Sequence, residues 1–148
     1  MSERYARQIP LIGEDGQRRL AESTVFIAGA GGLGSPVSMY LAEAGVGEMR
    51  IADLDVIEES NLNRQILHPA SRLGMLKAES AAQTLSALNP ECRVVSFAEK
   101  IDADSVFRMA DGADLIIDCM DNFETRYILN EASKKLNIPL LHGAVTGF

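Results

Sequence analysis

The residues of this chain best suited to chemistry are a set of glycines, one aspartate and a short series of Arg, Lys and Asp side chains. Gly29, Gly31 and Gly34 satisfy G-x-G-x-x-G within the stretch GAGGLGS, with Gly32 between them. The stretch follows the apolar run TVFIA and precedes PVSMYLAEAG, which has the character of a helix. Glycines at such a strand-to-helix turn allow a sharp bend, let the backbone approach a phosphate and let the helix pack on the strand. The helix N-terminus then offers unpaired N–H groups and the positive end of a dipole. Asp53 stands nineteen residues after Gly34, at the end of the next apolar run, where a carboxylate accepts hydrogen bonds from ribose hydroxyls. On these features alone a dinucleotide such as NAD is the favoured ligand.

A dinucleotide leaves a second group of residues unexplained. NLNRQ sets Asn61 and Arg64 beyond the second strand, Lys77 opens the next helix, and DCMDN brings Asp121 to the end of the fourth strand. One helix N-terminus serves a pyrophosphate. A triphosphate, with about four negative charges, calls for a guanidinium fork and an ammonium point charge as well. Asp121 is well placed to hold Mg²⁺ against those phosphates. Each side chain also has a plainer reading, Arg64 and Lys77 as solvated charges and Asp121 as a helix N-cap. Asp118, inside its strand, is equally readable as structural.

These residues need a frame, and the chain reads as one. Strands are expected at residues 24–28, 48–53, 93–97, 113–118 and 138–145, with helices at 33–44, 75–88, 102–111 and 122–136. Asp102 is a plausible N-cap for the third of these helices. Near-continuous apolar strands alternating with helices predict a Rossmann-like, doubly wound α/β domain, its sheet mainly parallel and covered by helices on both faces. Ligands of such sheets sit beyond the carboxyl ends of the strands, here residues 29–35, 53–55, 119–122 and 142–143. The long irregular stretch at 56–73 is of a length that is usually functional, and its Ile, Leu and Arg content speaks against disorder.

Composition narrows the partners. The 148 residues suit one domain with a real core, and 47% are apolar against 24% charged. A net charge of −7, from 14 basic and 21 acidic residues, argues against nucleic acid or an anionic membrane. The cations for a phosphate must therefore be gathered locally. Cys92 and Cys119 have no C-x-x-C spacing, so zinc is not expected and both thiols read as inert core. His68 and His142 lack partners at ligand spacing and read as structural or incidental, and Met39 and Met75 as packing. The N-terminus lacks the apolar core of a signal peptide and no apolar run is long enough to span a membrane, so a cytoplasmic location is expected.

Taken together, RYARQI, GAGGLGS, DLDVIEESNLNRQ, GMLKAESA, LNP and DCMDNFETRYILN resemble the MoeB/ThiF/HesA enzymes, relatives of the ubiquitin-activating enzymes. The likeness runs in order from about Arg4 to the last residue, and it favours ATP over NAD. It implies adenylation of the C-terminal Gly-Gly carboxylate of a ubiquitin-like sulfur-carrier protein, with release of pyrophosphate. It further implies that Gly29, Gly31, Gly32 and Gly34 hold phosphates and Asp53 the ribose. Asn61, Arg64 and Lys77 would contact the triphosphate, and Asp121 would bind Mg²⁺. Asp55 is grouped with the nucleotide residues, its expected part being to support the loop. Arg7 matches an arginine that reaches across a homodimer to the partner's ATP. Relatives continue with further strands, a segment over the carrier's tail and often zinc-binding C-x-x-C pairs. This chain is accordingly expected to be a single ATP-binding domain over residues 1–148, truncated relative to the family. Molybdopterin, thiamine, cysteine and tRNA-thiolation branches share these motifs. A nucleotide-binding module without turnover and an NAD-dependent oxidoreductase domain stay open as alternatives.

Overall fold

A computed structural model describes residues 3–146. Five parallel strands form one sheet in the order β3-β2-β1-β4-β5, with β1 Thr24–Ala28, β2 Glu48–Ala52, β3 Arg93–Phe97, β4 Leu115–Asp118 and β5 Leu140–His142. The chain reverses its direction of travel across the sheet between β1 and β4, and that switch point is where an open α/β sheet leaves a crevice. Helices α2 (Gly34–Ala44) and α3 (Lys77–Leu88) cover one face, and α4 (Ser105–Ala110) and α5 (Phe123–Leu136) the other. Right-handed crossovers of parallel strands require this two-sided cover.

Alternate residues of each strand feed two cores. Val25, Ile27, Met49 and Ile51 pack with Leu85 and Ala81 of α3, whereas Phe26, Ala28 and Ile116 pack with Met109 and Leu129. Burying each of the larger side chains contributes about 1.5–3 kcal/mol. This is why the strands read as continuous apolar runs: neither face is wet.

The first helix, α1 (Ile9–Glu22), was not among the expected elements. Its sequence, IPLIGEDGQRRLAE, is interrupted where Gly13 breaks the helical geometry at φ 73°, Leu11 is 86% exposed, and Leu20 packs against the core. Polar bonds also hold this N-terminal segment. Tyr5 is buried and its hydroxyl donates to Glu91 Oε2 at 2.8 Å and accepts from Asn89 Nδ2 at 2.9 Å. Gln8 and Gln17 both donate to the Ala44 carbonyl. Other boundaries differ at the ends. β5 is three residues long rather than reaching Val145, and α4 begins at Ser105, where Asp102 Oδ1 still accepts from the Asp104 and Ser105 amides.

The glycine turn is tight for a steric reason. A Cβ on Gly34 would stand 1.9 Å from the Gly29 carbonyl oxygen, and Gly29 itself holds φ 99° with Cys119 O close by. A Cβ on Gly31 would meet nothing nearer than 3.5 Å. Gly34→Ala is therefore expected to lower the urea midpoint by the equivalent of at least about 1–3 kcal/mol. Gly31→Ala should leave the midpoint near wild type. Equal midpoints in the two variants would contradict the packing described.

Candidate functional site

A cleft of about 720 Å³ opens at the carboxyl edge of the sheet. The glycine turn, the end of β2, the long loop, the segment after β3 and the N-terminus of α5 all line it. Gly29, Gly31, Gly32, Asp53, Asp55, Arg64, Lys77 and Asp121 are among its lining residues. Gly34 packs behind the turn, and Asn61 and Arg7 are not part of the lining.

The glycine turn presents bare amides. Ala30 N–H donates to Asp53 Oδ2 at 2.8 Å, and the Ser35 amide and hydroxyl return to Gly31 O. The Gly31, Gly32 and Leu33 amides have no acceptor among the described residues. They stand at the start of α2, so the donors and the dipole that suit an anion coincide. Asp53 Oδ1 accepts from the Asp55 amide at 2.9 Å. Burial pushes the Asp53 carboxyl above its usual range, while its two backbone N–H bonds and Lys77 work against that rise. Each of its oxygens keeps a lone pair for a further donor such as a ribose hydroxyl.

Cations gather opposite. Lys77 opens α3 with its side chain only 8% exposed, its Nζ 3.1 Å from Asp55 Oδ2 and its N–H on Asp55 O. A buried ammonium at the positive end of a helix is unfavourable unless anions surround it, and Asp55, 68% exposed, is a weak counterweight. Arg64 is exposed beside Gly32, held by Ser60 O and Asn63 Oδ1, both at 3.0 Å, with no carboxylate in ion-pair range. Asp121 is exposed and has no partner among the described residues. The cap of α5 is Asn122, whose Oδ1 accepts from the Thr125 amide, so Asp121 is not spent on capping. No group of three His, Cys, Asp or Glu suited to a metal ion occurs among the described residues.

Other expected site residues lie elsewhere. Asn61 Oδ1 accepts from the Glu58 amide, and the two residues form a reciprocal cap on the turn Glu59–Asn61. Its part is to shape the loop that carries Arg64. Arg7 is exposed on the N-terminal segment, which is bonded to Ala44 at the C-terminal end of α2. The cleft lies at the other end of that 11-residue helix, about 16 Å away by helical rise. Arg7 is therefore remote from the cleft of its own chain.

Sequence reasoning missed Lys100, Gln65 and Arg126, which all line the cleft. Lys100 follows β3, and the carboxyl-end rule applied to that strand would have found it. Gln65 is buried with its Oε1 unpaired, and Arg126 Nη2 holds the Met120 carbonyl at 2.8 Å. Both lie inside the stretches NLNRQ and DCMDNFETRYILN, which could have drawn attention to them. Leu54, Ile101 and Met120 supply apolar wall. The histidines are bonded rather than incidental. His142 Nδ1 is 2.7 Å from Oδ2 of the buried Asp118, and His68 reaches the glycine turn.

Burial pushes both thiols, Cys92 and Cys119, up to about 11. The thiolate is then a trace species at neutral pH. Iodoacetamide at pH 7.5 is expected to leave both cysteines unmodified in the folded protein and to alkylate both in urea. Rapid labelling of the native chain, read by mass spectrometry, would refute this.

Residues 5–148 match the model of the ThiF family. The SAMP-activating enzyme E1 of Haloferax volcanii is 45% identical over 99% of this chain, and the sulfur carrier protein adenylyltransferase of Thermus thermophilus 41% identical over 99%. The chain spans 55% of each, about half the length of these curated relatives. Among solved structures, the E. coli tRNA N6-threonylcarbamoyladenosine dehydratase TcdA, crystallised with ATP, superposes with a TM-score of 0.89. It is 30% identical, over 95% of this chain and 58% of TcdA. With this match over nearly its whole length and the shared sheet, the chain belongs to the ThiF family.

Proposed function

We propose that this chain supplies the ATP site of an enzyme that adenylates the C-terminal carboxylate of a ubiquitin-like sulfur-carrier protein ending in Gly-Gly. The observation that carries this reading is the gathering of two cationic side chains and a row of bare amides at the glycine turn. Lys77 at a helix N-terminus, Arg64 with no carboxylate in ion-pair range among the described residues, and three bare amides line one cleft. That is more positive charge than a dinucleotide's pyrophosphate requires, and it suits a triphosphate. The likeness to the Haloferax activating enzyme and the Thermus adenylyltransferase supports the reaction class, and the ATP complex of TcdA supports the nucleotide.

The carrier's carboxylate is ionised at neutral pH, so its oxygen attacks the α-phosphorus without a general base. The new O–P bond forms as the bond to the β-phosphate breaks, and the electron pair leaves with pyrophosphate. Arg64 and Lys77 neutralise the charge that develops on the departing group, and the glycine turn fixes the line of attack. Asp53 anchors the ribose. The donor set fits Mg²⁺, which prefers one or two carboxylates with substrate phosphates, and Asp121 would hold it. The ion would neutralise phosphate oxygens. Arg7, remote from its own cleft, acts in the cleft of a second copy in a homodimer, and the reaction is placed in the cytoplasm.

Isothermal titration with Mg·ATP is expected to show binding that Arg64→Ala weakens by about 1–3 kcal/mol, the size of a charged contact, while NAD gives no signal. A Gly-Gly-tailed carrier should then support ATP–pyrophosphate exchange. ATP binding without exchange would indicate a nucleotide module without turnover, and NAD binding without ATP binding would overturn the proposal.

A further inference from the structure

Both backbone polar groups of Ala30, in the middle of the glycine turn, are held by side chains from other elements. Its N–H is taken by Asp53 from the end of β2, and its carbonyl oxygen lies 2.7 Å from His68 Nε2 on the long loop. A carbonyl has no proton to give, so Nε2 carries the hydrogen and donates it. Nδ1 is then an acceptor, and Ser80 Oγ stands 3.1 Å from it. Arg72 Nη1 in turn reaches Ser80 Oγ at 3.3 Å, Ser80 O at 3.0 Å and Thr84 Oγ1 at 2.6 Å. The hydrogens therefore run one way along a chain, from Arg72 to Ser80, from Ser80 to His68 and from His68 to Ala30. His68 is 4% exposed and Ser80 is fully buried. Burial lowers the histidine below its ordinary range, with Arg72 and Lys77 adding to that, so the ring is neutral at pH 7.

The consequence lies in the peptide plane. No peptide bond among the described residues is cis, so the Ala30 carbonyl and the Gly31 N–H point in opposite directions. With the carbonyl drawn into the interior toward His68, the Gly31 N–H is turned outward, to the cleft that Gly31 lines. That N–H has no acceptor among the described residues. Glycine imposes no preference of its own on the plane, because it populates both signs of φ. A rotated Ala30–Gly31 peptide would present the carbonyl oxygen to the phosphates in place of the N–H.

We infer that His68 is a positioning residue for phosphate binding: it locks the Ala30–Gly31 peptide with Gly31 N–H facing the cleft. The Arg72–Ser80–His68 chain sets the loop bearing Arg64 in register with the glycine turn. This rests on the ATP reading above and adds a residue to it.

The test compares wild type with His68→Leu, which removes the donor at similar volume, and His68→Gln, whose amide can donate from nearly the place of Nε2. Binding of ATP, inorganic tripolyphosphate and adenosine is measured at pH 7.5, with the Gly31 amide followed by ¹H–¹⁵N correlation. His68→Leu is expected to weaken ATP and tripolyphosphate about tenfold and to abolish the tripolyphosphate-induced shift of the Gly31 amide. His68→Gln should stay within about threefold of wild type and keep the shift, and adenosine should bind all three proteins alike. Equal losses in the Leu and Gln variants, or an equal loss for adenosine, would overturn the inference in favour of packing. So would wild-type tripolyphosphate affinity in folded His68→Leu. Should His68→Leu fail to fold, Ser80→Ala decides. A reduced Gly31 shift and weaker tripolyphosphate binding support the chain, and an unchanged shift overturns it. Wild-type protein that binds neither ATP nor tripolyphosphate removes the ATP reading itself, and this inference with it.

Discussion

One half-buried carboxylate holds the working end of this molecule together. Asp53 accepts from Ala30 in the glycine turn through one oxygen and from Asp55 in the long loop through the other. Two segments far apart in the chain are thereby set at a fixed spacing beside the sheet. Through Asp55 the same carboxylate places the acceptor that meets the Lys77 ammonium and amide. Burial works against its charge, and the two N–H donors and Lys77 offset that. The side chain proposed to meet a ribose hydroxyl is thus also a structural rivet. Its removal would loosen the phosphate turn and the cation loop together, because an orphaned buried N–H is costly.

The electrostatic design follows from the same economy of placement. The chain as a whole is acidic, at −7, and its cleft mixes Lys77, Arg64, Lys100 and Arg126 with Asp53, Asp55, Glu99, Asp121 and Glu124 around the bare amides. Acidic residues elsewhere occupy the surface or pair with other cations, as Glu48 does with Arg50 and Arg93, which hold its carboxyl below the usual range. A protein of this net charge repels polyanions in general. Asp55 pairs with Lys77 and Glu124 lies 3.9 Å from Lys100, so the donors left open in the cleft are Arg64 and the bare amides of the glycine turn.

Much of the architecture was legible because it rests on local pattern. Strands buried on both faces are continuous apolar runs, and helices between them carry their own stop signals, such as the Asn137 that ends α5 in the left-handed region. The N-terminal helix escaped because its anchors are Tyr5, Gln8 and Gln17, polar side chains whose partners lie tens of residues away. The glycine turn announced itself, since the near-collision of Gly34 with Gly29 leaves no room for any other residue. The position of His142 at a strand end was legible, but its partner was not. His142 meets Asp118 only because β4 and β5 pair in that register.

The sequence by itself determined the fold class, the phosphate turn and the kinds of side chain that reach the cleft. These follow from hydrophobic periodicity, from the steric uniqueness of glycine and from the rule that loops at strand carboxyl ends converge. Only the tertiary structure decided what each group bonds to. It assigned the α5 cap to Asn122 and so left Asp121 unspent, drew Asn61 into the loop's own turn, carried Arg7 to the far end of α2 and set His68 on the Ala30 carbonyl. The physical reason is that a hydrogen bond depends on direction over about 3 Å, and direction between distant segments exists only once the sheet's register and the helix packing are in place.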